Sequence, residues 1–64
     1  MNETITEALL NEKAAAQVLG CSVAMMRKMR LFGNGPNYYK LRRLVRYSPA
    51  DLQSYMDACR VEVK

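Results

Sequence analysis

The sequence predicts a mainly α-helical domain with one small β-hairpin, in the order α-α-β-β-α. Three observations lead to this prediction. Two helix-forming stretches are separated by a short turn at Gly20. Two short apolar and aromatic stretches then flank the pair Arg42-Arg43. Finally, the pair Ser48-Pro49 opens a last amphipathic helix, which completes the order.

The length and composition limit the domain organisation. With 64 residues the chain forms at most one small domain, which buries only about 60% of its unfolded surface. We expect this domain to span residues 9–60, between a loose N-terminal segment (residues 1–8) and a C-terminal tail (residues 61–64). No apolar stretch approaches the roughly 20 residues that span a bilayer. The start carries Glu3 and Glu7 rather than the basic residues of a secretory signal, so we expect a cytoplasmic protein with no membrane partner.

The first two helices are expected to be joined by a tight turn. Asn11 is a good N-cap for a helix from Glu12 to Leu19. Gly20 ends that helix, because glycine adopts a left-handed conformation without strain. Ser22 follows almost at once as the next N-cap. Two helices separated by a three-residue turn with a glycine are the sequence signature of a helix-turn-helix.

The second helix is expected from Val23 to about Leu31 or Phe32, with two different faces. The side expected to pack into the core consists of Met25, Met26, Met29 and Phe32. The opposite side begins with small residues and becomes cationic one turn later. This division is typical of a DNA recognition helix, because small residues allow close approach to base edges and arginine reaches guanine or phosphate. The candidate DNA-binding residues of this helix are Ser22, Val23, Ala24, Arg27, Lys28 and Arg30.

The β-hairpin is expected to consist of residues 38–41 and 44–47 around Arg42 and Arg43. Two arginines are poor residues for the tight turns that hairpins prefer. A tip that holds two cations against this preference indicates a phosphate or minor-groove contact, with an ordinary exposed turn as the alternative. The candidate DNA-binding residues of the hairpin are Lys40, Arg42, Arg43 and Arg46.

The third helix is expected to close the core. Ser48 is its N-cap, Pro49 occupies the first helical position, and Asp51 places a carboxylate near the positive end of the helix. A single apolar stripe at helical spacing consists of Leu52, Tyr55, Met56 and Cys59.

The chain contains two cysteines, Cys21 and Cys59, and no histidine. A structural zinc site needs about four Cys or His ligands at close spacing, so we expect no metal site. Both cysteines fall on apolar positions, which favours buried free thiols over a disulfide. Without histidine or a clustered pair of carboxylates, we also expect no enzyme activity and no cofactor.

The positive charge is concentrated in the middle of the chain. Residues 21–47 contain seven cations and no acid, whereas the segments before and after them are net acidic. A surface that is merely solvated usually mixes charges of both signs. The asymmetry therefore indicates a face that binds a polyanion, and duplex DNA is the expected partner.

The ordered set of segments resembles the small winged helix-turn-helix proteins of the excisionase and AlpA type, which are relatives of the MerR DNA-binding domain. The resemblance covers about Leu9 to Met56. The matching stretches are Leu9-Leu10-Asn11, Ala15-Ala16, Leu19-Gly20-Cys21-Ser22, Gly35-Pro36, Tyr38-Tyr39-Lys40-Leu41, Arg43, Val45-Arg46-Tyr47 and Asp51-Leu52.

The resemblance implies a mechanism and partners. The second helix would enter the major groove, while the hairpin, or wing, would touch the backbone or the adjacent minor groove. Excisionases of this type bind repeated sites and bend the DNA so that a tyrosine integrase can carry out excision, whereas AlpA-type proteins regulate prophage genes. We therefore expect a bacterial or phage-encoded protein whose partners are duplex DNA, a tyrosine integrase and further copies bound cooperatively.

Two departures from the family pattern and one alternative function also follow from the sequence. The family usually has glycine where this chain has Arg42, which implies a wider hairpin turn. It commonly has an aromatic residue where this chain has Met29, which implies a more pliable core. Leu31 and Phe32 beside the basic face, together with the acidic N-terminus, favour the alternative of a different class, a protein-interaction adaptor or anti-repressor.

Overall fold

The computed structural model describes residues 8–63, which form three helices and one antiparallel hairpin and are mainly helical. The elements are α1 (Glu12–Leu19), α2 (Val23–Phe32), β1 (Tyr39–Leu41), β2 (Leu44–Arg46) and α3 (Pro49–Cys59). The predicted order α-α-β-β-α is confirmed, and it is consistent with a winged helix-turn-helix. Most of the expected loose segment, residues 1–7, and the last residue of the expected tail lie outside the described residues. In the part of the chain that the structure describes, no helix is long and apolar enough to cross a membrane.

Each helix begins at the cap that the sequence predicts. The side chains of Asn11, Ser22 and Ser48 each accept a hydrogen bond from the backbone N–H three residues later, at 2.8–3.0 Å. Such a cap stabilises a helix by about 1 kcal/mol. Gly20 and Gly33 end α1 and α2 in the left-handed conformation, each with φ +71°. Local capping chemistry therefore sets the boundaries of α1 and α2 at both ends and the start of α3.

The hairpin closes through a turn of only two residues. The register pairs Tyr39 with Arg46, Lys40 with Val45, and Leu41 with Leu44. The wider turn implied by the family resemblance is therefore wrong, and Arg42 instead adopts a left-handed φ of +62°. The strands are one residue shorter at their open ends than predicted. Tyr47 leaves the ladder because its backbone N–H and C=O pair with Leu10, at 2.8 and 2.7 Å.

The core is small and lies where α1, α2 and α3 meet Tyr47. Its fully buried residues are Ala15, Ala16, Met26, Tyr47 and Leu52. The expectation that Met25 and Phe32 pack into this core is wrong, since they are 44% and 65% exposed. The backbone pairing of Tyr47 with Leu10 fixes the tyrosine ring in the core. Helix α2 contributes Met26 to the same core and bonds to the Tyr47 hydroxyl through Arg30, whereas Met25 lies at the edge.

The two cysteines are free, and they are less buried than expected. Cys21 is half-buried and Cys59 is exposed, so the expectation of two buried thiols is wrong. Burial decreases along α3, from Leu52 in the core through the half-buried Tyr55 and Met56 to Cys59. The last turn of α3 therefore extends beyond the part of the helix that the core covers.

Candidate nucleic-acid interface

A shallow cleft of about 320 Å³ lies between the first two helices and the hairpin. This cleft is lined by four of the predicted DNA-binding cations: Arg27, Arg30, Arg43 and Arg46. One acid, Glu12 of α1, lies among them. The cleft therefore brings candidate residues of α2 and of the hairpin onto one concave surface, which we call the basic cleft.

Arg27 lies at the edge of the basic cleft and is held by Glu12. Its guanidinium makes two close contacts with the same carboxylate oxygen, at 2.7 Å through Nη2 and 2.8 Å through Nε. The hydrogen bond from Arg27 lowers the pKa of Glu12, and the positive charges of Arg27 and Arg30 add to this effect. The side chain of Arg27 is nevertheless 65% exposed, so it remains available to an incoming ligand.

Arg30 has a different environment, because its guanidinium is directed into the protein. Its side chain is only 20% exposed, and Nη1 donates a hydrogen bond to the buried Tyr47 hydroxyl at 3.1 Å. The same nitrogen lies 3.5 Å from Glu12, and the guanidinium carbon lies 5.8 Å from the centre of the Tyr38 ring. The hydrogen bond to Tyr47 is the main cause of the raised pKa of Arg30. Arg30 thus connects α1, α2 and both ends of the hairpin, which is a structural role.

The outward face of α2 differs in part from the predicted one. Ala24, Arg27, Lys28 and Leu31 are exposed, as the predicted face requires. Val23 is instead half-buried against the core, and the Ser22 hydroxyl caps the helix. Met25 and Phe32 border this face and do not lie in the core, where the sequence predicts them. Helical periodicity alone gives no signal for this rotation, because it depends on the contact between Arg30 and Tyr47.

The cations of the hairpin have no ionic partner within the part of the chain that the structure describes. Lys40, Arg42 and Arg43 are exposed. Within residues 8–63 the ion pairs all use other cations, of which Arg27 and Arg30 lie on α2. Arg46 is half-buried, and its Nη1 donates to the carbonyl oxygen of Val45 at 2.9 Å. Among residues 8–63, Lys40, Arg42 and Arg43 therefore have no salt bridge that an external anion must first break.

The backbone of Arg42 is strained. A left-handed φ costs a non-glycine residue roughly 1–2 kcal/mol, and Arg42 is the one non-glycine residue with positive φ among the described residues. Positive φ at the first central position alone is the pattern of a type II′ turn, which favours glycine there. The chain thus holds an exposed cation at a position where glycine would fold with less strain.

Neither the protein-family models nor the curated proteins give a match to this chain.

Proposed function

We propose that this chain is a sequence-specific binder of double-stranded DNA, an excisionase of the winged helix-turn-helix type that bends DNA at attachment-site repeats for a tyrosine integrase. The observation that carries the proposal is the basic cleft, in which Arg27 of α2 and Arg43 and Arg46 of the hairpin line one concave surface. A single phosphate backbone that enters this cleft contacts both elements. Such contacts fix the register and orientation of a protein on the duplex.

The outward face of α2 supplies the contacts that read the sequence. The major groove of B-DNA is about 12 Å wide and admits an α-helix. Ala24, in the first turn of α2, has a side chain small enough for close approach to base edges, and Lys28 follows one turn later. Arg27 adds a fork of N–H donors that matches guanine or phosphate. Arg30 takes no part in the DNA contact in this proposal, because Tyr47 and Glu12 hold its guanidinium.

Glu12 positions Arg27 before DNA arrives. Its carboxylate holds the guanidinium at the rim of the cleft, which reduces the number of rotamers that binding must order. A DNA phosphate or a guanine edge then replaces this carboxylate or shares the guanidinium with it. Glu12 also places one negative charge at the interface, which weakens binding at sites where Arg27 finds no partner.

One module of this size covers roughly 600–1,000 Å² of protein surface on DNA, which limits its specificity. We therefore propose that several copies bind cooperatively to repeated sites, in the cytoplasm of a bacterium. The protein supplies no catalytic group and needs no cofactor in this role, because the integrase carries out the chemistry. An AlpA-type regulator of prophage transcription would use the same DNA contacts and differs only in its output.

The first test is DNA binding by the full chain, measured by fluorescence anisotropy on duplexes selected from a random pool. We expect binding that weakens steeply with salt. Arg43→Ala should lower affinity on all duplexes and reduce the slope of log K against log salt by about 0.9. Arg27→Ala should instead change the preference between sequences. The matched control is Arg60→Ala, since Arg60 is an exposed cation outside the cleft, paired with Glu62 at 3.7 Å.

The outcome that would overturn the proposal is undetectable duplex binding at low salt, or an equal loss of affinity in the Arg60 control. Duplexes with one or several sites then test cooperativity, because equal affinity per site contradicts it. The adaptor alternative is supported by the exposure of Leu31, 80%, and of its neighbour Phe32. Capture of an integrase or repressor by the DNA-binding-defective double variant Arg42→Ala/Arg43→Ala would favour that alternative.

A further inference from the structure

A second groove lies on the flank of α2 away from Arg27, between α2 and α3. Its volume is about 280 Å³. Five sulfur-containing side chains line it, and they are Cys21, Met25, Met29, Met56 and Cys59. The whole chain has seven such residues, so most of its sulfur is gathered in this one groove. We call it the sulfur groove.

Tyr55 also lines the sulfur groove and contacts one of these sulfur atoms directly. Its hydroxyl donates a hydrogen bond to Sδ of Met29 at 3.4 Å. Both thiols line the same groove as this phenol.

The sulfur groove is open to solvent, which distinguishes it from a methionine-rich core. Methionine often serves as an adaptable filler of irregular gaps inside a core. Here Cys59 is exposed and Met25 is nearly half-exposed, whereas Cys21 and Met29 are half-buried and pack against the core. A ligand from solution can therefore reach the groove at Cys59 and Met25, with the half-buried sulfur side chains behind them.

We propose that the sulfur groove binds one Cu(I) ion through the thiolates of Cys21 and Cys59, with the groove methionines as additional thioether ligands. Soft thiolate and thioether ligands select Cu(I). Zinc instead takes four nitrogen, thiolate or carboxylate ligands, and no cluster of three or more His, Cys, Asp or Glu is present among residues 8–63. On binding, each thiol releases one proton to solvent, and the copper remains in the +1 state throughout. This site lies outside the basic cleft and does not depend on DNA binding.

The test is a competition for Cu(I) between the full chain and a chromogenic Cu(I) chelator, under anaerobic and reducing conditions. The wild-type protein should remove one equivalent of Cu(I) per chain from the chelator. Cys59→Ser should abolish this transfer, and its exposed position makes it a variant that keeps the fold. Tyr55→Phe removes the hydrogen bond to the Met29 sulfur and should weaken binding by about 10- to 100-fold. Far-ultraviolet circular dichroism of each variant checks the fold.

The matched control is Val18→Ser, which changes a half-exposed apolar residue of α1 that does not line the groove. We expect this variant to bind Cu(I) as the wild type does. Met25→Leu keeps the size and apolar character of the side chain but removes one thioether, so it should bind Cu(I) more weakly. The proposal is overturned if the wild type leaves Cu(I) on the chelator, or if Cys59→Ser removes Cu(I) as well as the wild type.

Discussion

Arg30 and the pair Arg42-Arg43 belong to the same acid-free stretch of sequence, yet the structure gives them opposite environments. Arg30 is largely covered and bonded to the Tyr47 hydroxyl and to Glu12. Arg42 and Arg43 are exposed at the tip of the hairpin, where Arg42 strains its own backbone. The comparison shows that a count of cations overstates the binding surface, because one of the seven helps to hold the fold together.

Among these arginines, we expect the substitution of Arg30 to lower the free energy of unfolding the most. Arg30→Met leaves the Tyr47 hydroxyl, in a residue that is 1% exposed, without its hydrogen-bond donor. An unpaired buried group costs about 1–3 kcal/mol, and each 1 kcal/mol lowers the Tm of so small a domain by roughly 4–8 °C. Urea denaturation measures this loss. Duplex affinity, measured at a temperature where the variant is folded, should stay close to that of the wild type.

The matched control for Arg30→Met is Tyr47→Phe, which removes the hydroxyl itself. In the Tyr47→Phe background, Arg30→Met should cost less than in the wild type, because no buried hydroxyl is left unpaired. The remaining cost reflects the contacts of Arg30 with Glu12 and with the ring of Tyr38. If the losses of stability from the two substitutions were fully additive, Arg30 and the Tyr47 hydroxyl would not be coupled, which would contradict this structural role of Arg30. A large loss of DNA affinity in the folded Arg30→Met variant would show that Arg30 belongs to the DNA-binding surface.

At the hairpin tip we expect the reverse of Arg30→Met, namely a substitution that stabilises the fold and weakens DNA binding. Arg42→Gly removes the left-handed strain and should raise the free energy of unfolding by about 1 kcal/mol, since the gain from φ is partly offset by the flexibility of glycine when unfolded. It should also weaken DNA binding, because a cation is lost. Arg42→Ala is the matched control, since it removes the charge but keeps the strain. It should weaken DNA binding equally without stabilising the fold.

Thermal unfolding and salt-dependent anisotropy on the same three proteins measure both effects. A stabilised Arg42→Gly that binds DNA as tightly as the wild type would mean that the tip is an ordinary turn. In that case the strained cation at position 42 would make no contribution to DNA affinity. An equal rise in stability in Arg42→Ala would show that charge repulsion at the tip, rather than φ, is what destabilises the wild type.

The difference between these regions also explains what the sequence could and could not predict. The caps at Asn11, Ser22 and Ser48 act within three residues, so local chemistry predicted every helix start correctly. The orientation of α2 depends on its contact with Tyr47 through Arg30, and the backbone of Tyr47 in turn pairs with the distant Leu10. No periodicity within α2 contains that information, and for this reason the core face was misplaced.

The candidate DNA-binding site was also predictable only where local sequence decides it. The exposure of the hairpin cations follows from their position at a turn, and the structure agrees with it. The inward direction of Arg30 could not be predicted, because it requires a tyrosine from the hairpin end and an acid from α1 to meet at one guanidinium. Nothing local marks Glu12 as the acid that holds both arginines of α2 that line the basic cleft, because these contacts join residues 15 and 18 positions apart.

The smallest predicted effect concerns the pH dependence that Glu12 gives to stability. The hydrogen bond from Arg27 lowers the folded-state pKa of Glu12 below the ordinary value of 4.5. Above pH 4.5 the carboxylate is ionised in both the folded and the unfolded chain, and the stabilisation is fully present. As the pH falls below 4.5 the unfolded chain takes up the proton first, so this stabilisation decreases and is lost once the pH passes the folded-state pKa. Urea denaturation of the wild type and Glu12→Gln between pH 7 and pH 3 should therefore show a stability difference that shrinks in this window, whereas a difference independent of pH would mean that Glu12 is not coupled to Arg27.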